Sequence, residues 1–410
     1  MTIAAHTLGC KLNFAETSDT LRRLAAEGHT IVDFREKADI YLINTCTVTA
    51  VAEKKCRTAI RQAHRQNPDA QIVVMGCFAQ VAADEIRRMP GVTQVLGNES
   101  KRLLSYSGED RTRTFFKIQD GCDYFCTYCA IPYARGRSRS ASIEETLCAA
   151  RRIADSGAKE VVLTGVNTGT FGQASKQASN HPFLDLLKGL DQIEGILRYR
   201  ISSIEPNLLT DDIIDFVAHS RAFLPHFHIP LQAGSDHVLS LMHRRYNTAL
   251  YRAKLERIKA VMPDACIAAD VMAGFNGENE EEFAKVLSFI DSLPISYLHV
   301  FTYSDRPGTA ALKLGEKVPI PVRHEHTARL LELSEKKHKA FIDSQLGKTR
   351  PILWESTPHS SNQTTKQSSN QTMQGWTDNY IRLCRPYDPS IVNTVEQVTI
   401  TLDNIVGDTE

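Results

Sequence analysis

The sequence predicts an α/β protein in three parts: an N-terminal α/β domain with a parallel sheet over residues 1–100, a partial (β/α)6 barrel over 108–340, and a small β-barrel over 345–410. Three observations carry that prediction. Residues 1–97 alternate apolar strand-like runs with polar helical stretches, the pattern of a parallel sheet joined by crossover helices. Between residues 113 and 305 six strand-like runs recur, RTFFKIQ, AKEVVLTG, LRYRISSI, PHFHIPLQ, ACIAADVM and ISYLHVFTY, separated by helical stretches. Beyond Lys348 the runs RPILWE, NYIRLCRP and VEQVTITLDNIVGD alternate like strands of a small barrel.

Size and composition agree. A chain of 410 residues exceeds one ordinary core, and 42% apolar with 23% charged residues is a globular balance. A formal net charge of zero leaves any nucleic-acid contact to local basic patches. No apolar run approaches the ~18 residues that span a bilayer. The opening MTIAAHTLGC lacks a basic stretch followed by an apolar one, so it does not read as a signal peptide. A cytoplasmic protein without membrane association is expected, and ten cysteines in that reducing setting point to metal ligation before disulfides.

In the first part, three runs end alike: IAAHTLGC, ADIYLINTC and QIVVMGC. They put Cys10, Cys46 and Cys77 just past three strands, and the strand ends of an open parallel sheet share one edge, where ligands collect. Gly9 and Gly76 would let the backbone approach a bulky ligand. Taken alone, three buried structural cysteines explain the pattern equally well. Cys56, Cys148, Cys266 and Cys384 lack the setting and read as packing.

The second part carries the most specific signal. FFKIQDGCDYFCTYCAIP sets Cys122, Cys126 and Cys129 in CxxxCxxC spacing directly after a strand. Short spacings let one loop wrap one iron–sulfur cluster, and three ligands on four irons leave one iron open. Structural zinc would want a second pair nearby, and none follows. Asp120 and Asp123 read as loop solvation and capping. The runs lead into polar or glycine-bearing turns, GCDYFC, TGVN, IEPN, QAGS, AGFNGE and YSDRPGT, which a barrel gathers on one rim.

CxxxCxxC with Tyr128 before the last cysteine resembles the radical S-adenosylmethionine superfamily. The resemblance implies a cluster whose open iron chelates the methionine moiety, with reductive cleavage giving a 5′-deoxyadenosyl radical. It nominates Tyr128, Thr164 and Gly165 (in TGVN), Ser203 and Glu205 (in ISSIEP), and His228 and Gln232 (in HIPLQAGSD) as cofactor contacts. Core hydrogen bonding or loop capping is the competing explanation for each, His228 above all.

Three spaced cysteines on an α/β domain ahead of this barrel are similar to the methylthiotransferase branch. That likeness implies an auxiliary cluster on Cys10, Cys46 and Cys77, hence two 4Fe-4S clusters with S-adenosylmethionine. TLGCKLNFAET, CTYCAIPYARGRSRS, RYRISSIEPNLL and GWTDNYIRL look most like enzymes of tRNA threonylcarbamoyladenosine, which add a methylthio group at carbon 2 of that base beside the anticodon. Alternatives are isopentenyladenosine in tRNA, a ribosomal-protein aspartate, or a non-catalytic metal-stabilised RNA-binding protein. The implied partners are a tRNA anticodon stem-loop and a reductant protein such as flavodoxin or ferredoxin. Two stretches depart from relatives: the polar NTGTFGQASKQASNHPF, and Asn276 in place of proline.

Residues 321–347 read as one long charged helix, and the last part resembles an RNA-holding TRAM barrel interrupted by the low-complexity STPHSSNQTTKQSSNQT. Arg350, Trp376, Tyr380 and Arg382 could supply charge and stacking there, or simply pack. Residues 101–140 hold eight Lys/Arg against four Asp/Glu, with Arg135, Arg137 and Arg139 alternating, and His243, Arg244 and Arg245 form a second patch. Phosphate binding would explain Arg135, Arg137, Arg139, Arg244 and Arg245; a solvated surface is the other explanation.

Overall fold

The structure, a computed structural model, describes residues 1–98, 101–108, 112–174, 179–355 and 372–406. The centre of the polar stretch after Asn167 and nearly all of the low-complexity stretch lie outside the described residues.

Five parallel strands make the N-terminal sheet: β1 (Thr2–Thr7), β2 (Thr30–Val32), β3 (Ile40–Thr45), β4 (Gln71–Gly76) and β5 (Val92–Leu96), in the order β2-β1-β3-β4-β5. The alternation of strands and helices is as the sequence suggests, and the order reverses between β1 and β3. That reversal opens a crevice at the carboxyl ends of these two strands. Cys10 follows β1 and Cys46 follows β3, so both stand at the crevice, with Cys77 one strand further.

A short β6 (Ser105–Tyr106) runs antiparallel to β7 (Arg113–Lys117), and a small hairpin joins β8 (Gln119–Asp120) to β9 (Arg139–Ser140). The barrel strands are β7, β10 (Glu160–Thr164), β11 (Arg198–Ile201), β12 (His226–His228), β13 (Cys266–Ala273) and β14 (Tyr297–Thr302). Val162 pairs with both Phe115 and Arg200, and Asp270 with His299. Isolated bridges, Tyr199 to Phe223 and Ser203 to His228, join β11 to the chain around β12. Among the described residues β7 and β14 do not pair, so the six-strand barrel has an open seam. Several of its helices start at a side-chain cap: Ser142 with Glu145 closes a capping box, and Thr210, Asn247 and Asn279 each accept from one of the first-turn backbone N–H groups that have no partner within the helix.

The helix Ile320–Gln345 runs along β14, where Ser334 Oγ takes the Leu298 amide at 2.9 Å. The chain ends in β15 (Thr349–Trp354), β16 (Thr372–Thr377), β17 (Arg382–Pro386) and β18 (Val395–Thr399), an antiparallel sheet in the order β17-β16-β15-β18. A bridge from Ile405 to Leu383 curls it back on itself.

This unit docks on the amino ends of the barrel strands. Arg198 reaches the carbonyls of Trp376 and Thr377, and Arg200 those of Thr377 and Asp378, while buried Glu160 holds both guanidiniums at 2.9 and 2.8 Å. Tyr380 stacks between His226 (4.1 Å) and Trp376 (4.3 Å). Of the two readings left open for Trp376, Tyr380, Arg350 and Arg382, RNA contact or packing, these contacts are packing. The rings pack against the barrel, Arg350 is 9% exposed between Asp264 and Asp378, and Arg382 lies over Trp376. None of the described helices is long and apolar enough to cross a membrane.

Candidate active site

The first thiol group forms because two tight loops close on each other. Gly9 and Gly76 have φ of +110° and +103°, which glycine adopts at little cost. A Cβ on Gly9 would lie 2.9 Å from the Cys46 Cβ, and one on Gly76 would strike the Thr45 carbonyl. The close approach they permit is thus between neighbouring chain segments. Cys46 and Cys77 are buried and Cys10 is exposed. Cys56 is packed as expected, but directly against the site: its sulfur lies 3.4 Å from the Cys46 amide.

The second group sits on the loop after β8. Gly121 has φ of +74° and Phe125 a φ of +50°, and the loop is tied down by Cys122 N to the Gly136 carbonyl and Thr127 N to the Met242 carbonyl. Cys126 is buried, and Cys122 and Cys129 are partly so. Arg244 does not point to solvent, which corrects its reading as a phosphate ligand. Its side chain is 3% exposed; Nη1 lies 3.0 Å from Cys126 Sγ and 3.3 Å from the Tyr128 hydroxyl, and Nη2 pairs with Glu205. Arg245 is the surface residue of the pair, its guanidinium 4.1 Å above the Tyr124 ring.

Around this loop the rim residues form a connected set. Ser203 Oγ meets His228 Nδ1 at 2.8 Å, and His228 Nε2 meets Asp270 at 2.7 Å. Gln232 has φ of +65° and bridges backbone atoms of Asp270 and Met272. Thr164 and Gly165 end β10 beside Gln119, whose side chain holds the Gly121 carbonyl and the Asn167 amide. Gln119 is a connector that the sequence reading missed; a lone amide in an apolar strand was its signal.

Between the two thiol groups lies a buried ionic cluster, also missed. Glu16 and Asp120 face Lys101, Lys117, Arg135 and, at its edge, Arg139. Asp120 is fully buried, which corrects its reading as a solvated loop residue. Burial pushes its carboxyl and that of Glu16 up, but Arg135 and the lysines outweigh this and hold both low. Arg135 is 4% exposed and Arg137 is a surface residue paired with Asp123. The alternating arginines thus face different environments: Arg135 is turned toward Cys77 rather than phosphate, its Nε 3.2 Å from the sulfur.

Both thiol groups fit iron–sulfur clusters. Burial pushes Cys46 and Cys122 up to about 11 and Cys129 to about 12, so as free groups they would stay protonated; cluster iron takes the thiolate. A guanidinium is aimed at one sulfur in each set, Arg135 at Cys77 and Arg244 at Cys126, which rewards negative sulfur. Among the described residues, the ligand atoms gathered within 4.8 Å of one another are those of His228, Asp270 and His299. A zinc ion with bonds of about 2.3 Å would hold its sulfurs within about 3.8 Å. The cysteine sets are more widely spread than that.

Comparison with known proteins covers nearly the whole chain. Residues 2–97 match the family described as uncharacterized protein family UPF0004, and residues 116–290 match the radical SAM superfamily. The threonylcarbamoyladenosine tRNA methylthiotransferase MtaB of Bacillus subtilis is 37% identical, over 97% of this chain and 93% of its own. The tRNA-2-methylthio-N(6)-dimethylallyladenosine synthase of Desulfitobacterium hafniense is 30% identical, over 96% and 93%. The radical S-adenosylmethionine methyltransferase TsrM of Kitasatospora setae, solved with cobalamin and a 4Fe-4S cluster bound, shares the fold. Its TM-score is 0.52 at 13% identity, covering 73% of this chain and 74% of its own.

Proposed function

The chain belongs to the radical S-adenosylmethionine methylthiotransferase family, and on that premise we propose that it adds a methylthio group to carbon 2 of N6-threonylcarbamoyladenosine in tRNA, beside the anticodon. One observation carries the reading: the relative named for that base is 37% identical end to end, while the one named for dimethylallyladenosine is 30% identical. Both match across the two cysteine-bearing segments, and both are named for bases of tRNA.

Cys122, Cys126 and Cys129 would hold the 4Fe-4S cluster that binds S-adenosylmethionine, and Cys10, Cys46 and Cys77 the auxiliary one. When bound, these groups supply a reducing electron, a hydrogen-abstracting radical and a sulfur source. The chain's own residues bind and orient. Glu205, fixed by Arg244, is suited to accept from ribose hydroxyls. The Ser203–His228–Asp270 chain fixes the imidazole through both ring nitrogens, which stiffens the rim next to Gln232. Thr164 and Gly165 end their strand at the same rim, where backbone groups can meet a charged amino acid moiety.

A one-electron donor of the flavodoxin or ferredoxin class completes the scheme. The exposed Phe125 and Tyr133 rings beside the cysteine loop, with Arg137 over Phe125, suit a small transient contact. A tRNA substrate implies a cytoplasmic setting.

The test incubates reconstituted enzyme with anticodon stem-loops bearing threonylcarbamoyladenosine or isopentenyladenosine, read by nucleoside mass spectrometry. Methylthiolation of the first is expected. Modification of the isopentenyl substrate alone would overturn the assignment.

A further inference from the structure

Inside the barrel is a cavity of about 90 Å³ whose lining includes Lys11, Arg113, Arg200, His226, His228 and His299. It lies at the open seam: Arg113 is on β7, His299 on β14, and Lys11 comes from the N-terminal domain, one residue after Cys10. The Lys11 ammonium stands 6.0 Å from the Phe115 ring and makes no ion pair among the described residues. The nearby carboxylates are already engaged, Glu355 by Arg113, Glu160 by Arg198 and Arg200, and Asp270 by His228. Lys11 is exposed, and its ammonium brings to the lining a charge that no carboxylate pairs among the described residues.

His226 adds a second, independent requirement. It is 9% exposed, and neither ring nitrogen has a hydrogen-bond partner among the described residues. Burial, and then the neighbouring cations, hold it well below its ordinary value, so the ring is neutral. A neutral imidazole offers one donor and one acceptor, and leaving both unmet in a buried site is costly. A ligand that presents a carboxylate and a hydroxyl together answers both needs. His228, Asp270 and His299 approach metal-ligand spacing, but both nitrogens of His228 are taken and the surrounding lining is cationic. The space thus favours an anion over a metal ion.

We propose that this cavity seats the acidic hydroxy-amino-acid end of the substituent on the substrate adenine, with Lys11 pairing its carboxylate and His226 its hydroxyl. The inference rests on the function proposed above and names where that base is told from its apolar counterpart. The tip of the substituent enters the cavity. The base itself stays at the mouth, near Cys10. An isopentenyl tip would leave buried His226 without a partner and would forgo the ion pair with Lys11, which is discrimination by an unpaired polar group together with a lost charge pair.

Equilibrium binding to the cluster-loaded protein, without reductant, tests this. The probes are anticodon stem-loops carrying threonylcarbamoyladenosine, its threoninamide analogue, isopentenyladenosine or unmodified adenosine. Wild type should bind the carboxylate form about tenfold tighter than the amide, as expected for one charge pair in a restricted space. Lys11→Met should erase that difference and leave binding of the unmodified stem-loop unchanged. His226→Phe, which keeps the stack on Tyr380, should weaken the threonylcarbamoyl form selectively. Full preference retained by both variants would overturn the cavity assignment. A wild type with no preference for threonylcarbamoyl over isopentenyl stem-loops would instead overturn the function on which it rests.

Discussion

Arg135 Nε stands 3.2 Å from Cys77 Sγ, so a side chain from the second cysteine loop touches a ligand of the first. The same guanidinium meets Glu16 at 3.0 Å, Asp120 at 2.8 Å and Asn13 at 2.5 Å. One residue thereby fixes the helix after β1, the end of β4 and the entry to the cysteine loop. The two thiol groups are held in one frame by charge as well as by packing.

Arg135→Met should remove that frame. It leaves Glu16 and Asp120 short of a cation in a dry site, a loss of about 3–5 kcal/mol of stability. Iron retention by the first cysteine set should fall as well. Arg137→Ala, at an exposed position, should shift unfolding by no more than about 0.5 kcal/mol. Denaturant unfolding and iron assays on both variants check the contrast, and equal behaviour of the two would refute it.

Replacing Cys10, Cys46 and Cys77 together by alanine should remove about half the iron, as expected for loss of one of two similar clusters. Reductive cleavage of S-adenosylmethionine, followed as free 5′-deoxyadenosine, should persist while methylthiolation stops. The same change at Cys122, Cys126 and Cys129 should end both. Unchanged iron in the first variant would mean that those three thiols bind none.

The main strand runs and the CxxxCxxC spacing were legible because they rest on local signals, period-two apolar runs and a short ligand spacing. Cys10, Cys46 and Cys77 taken alone read equally well as structural, and gained a ligand role only from the family resemblance. What was not legible depends on non-local partners. Arg135, Arg137 and Arg139 alternate in sequence, yet the short helix Ile131–Arg135 turns Arg135 inward and leaves Arg137 in water. Arg244 and Arg245 are adjacent, and only the fold decides which one meets Cys126. Glu16 sits in an amphipathic helix with no local sign that Lys101, Lys117 and Arg135 await it. The strand β16 was missed because its start abuts low-complexity sequence that masks the alternation.

Acid should loosen the floor of the barrel through Glu160. Burial pushes this carboxyl up, but Arg200, Arg198 and Arg113 outweigh it and hold it at about 2, against an ordinary 4.5. A carboxylate lowered on folding contributes stability in full above its unfolded value, and loses it as pH falls from 4.5 toward 2. The gap corresponds to about 3 kcal/mol. Glu160→Gln should flatten that part of the pH profile and also weaken the protein at pH 7, because Arg198 and Arg200 lose their counter-charge. Urea unfolding between pH 3 and pH 7 would show it; an unaltered slope in the variant would count against this role.

Arg244 provides the sharpest separation between RNA binding and cofactor positioning. It touches Cys126 and Tyr128 through Nη1, Glu205 through Nη2 and the Tyr246 hydroxyl through Nε at 3.1 Å. A phosphate ligand would behave differently from a positioning residue under salt. Losing a phosphate contact weakens stem-loop binding and lowers the salt slope by about one. Losing a positioning contact leaves RNA affinity alone and misplaces the groups around the cysteine loop, an error that can cost about a hundredfold in rate. Arg244→Gln is expected to follow the second pattern: stem-loop binding and its salt slope unchanged, and 5′-deoxyadenosine formation strongly reduced. Arg244→Lys should restore part of the rate, since it keeps the charge beside Glu205 but not the fork that also reaches Cys126. Iron content must stay at the wild-type level for this reading to hold. A fall in RNA affinity with cofactor cleavage intact would return Arg244 to the phosphate-binding surface.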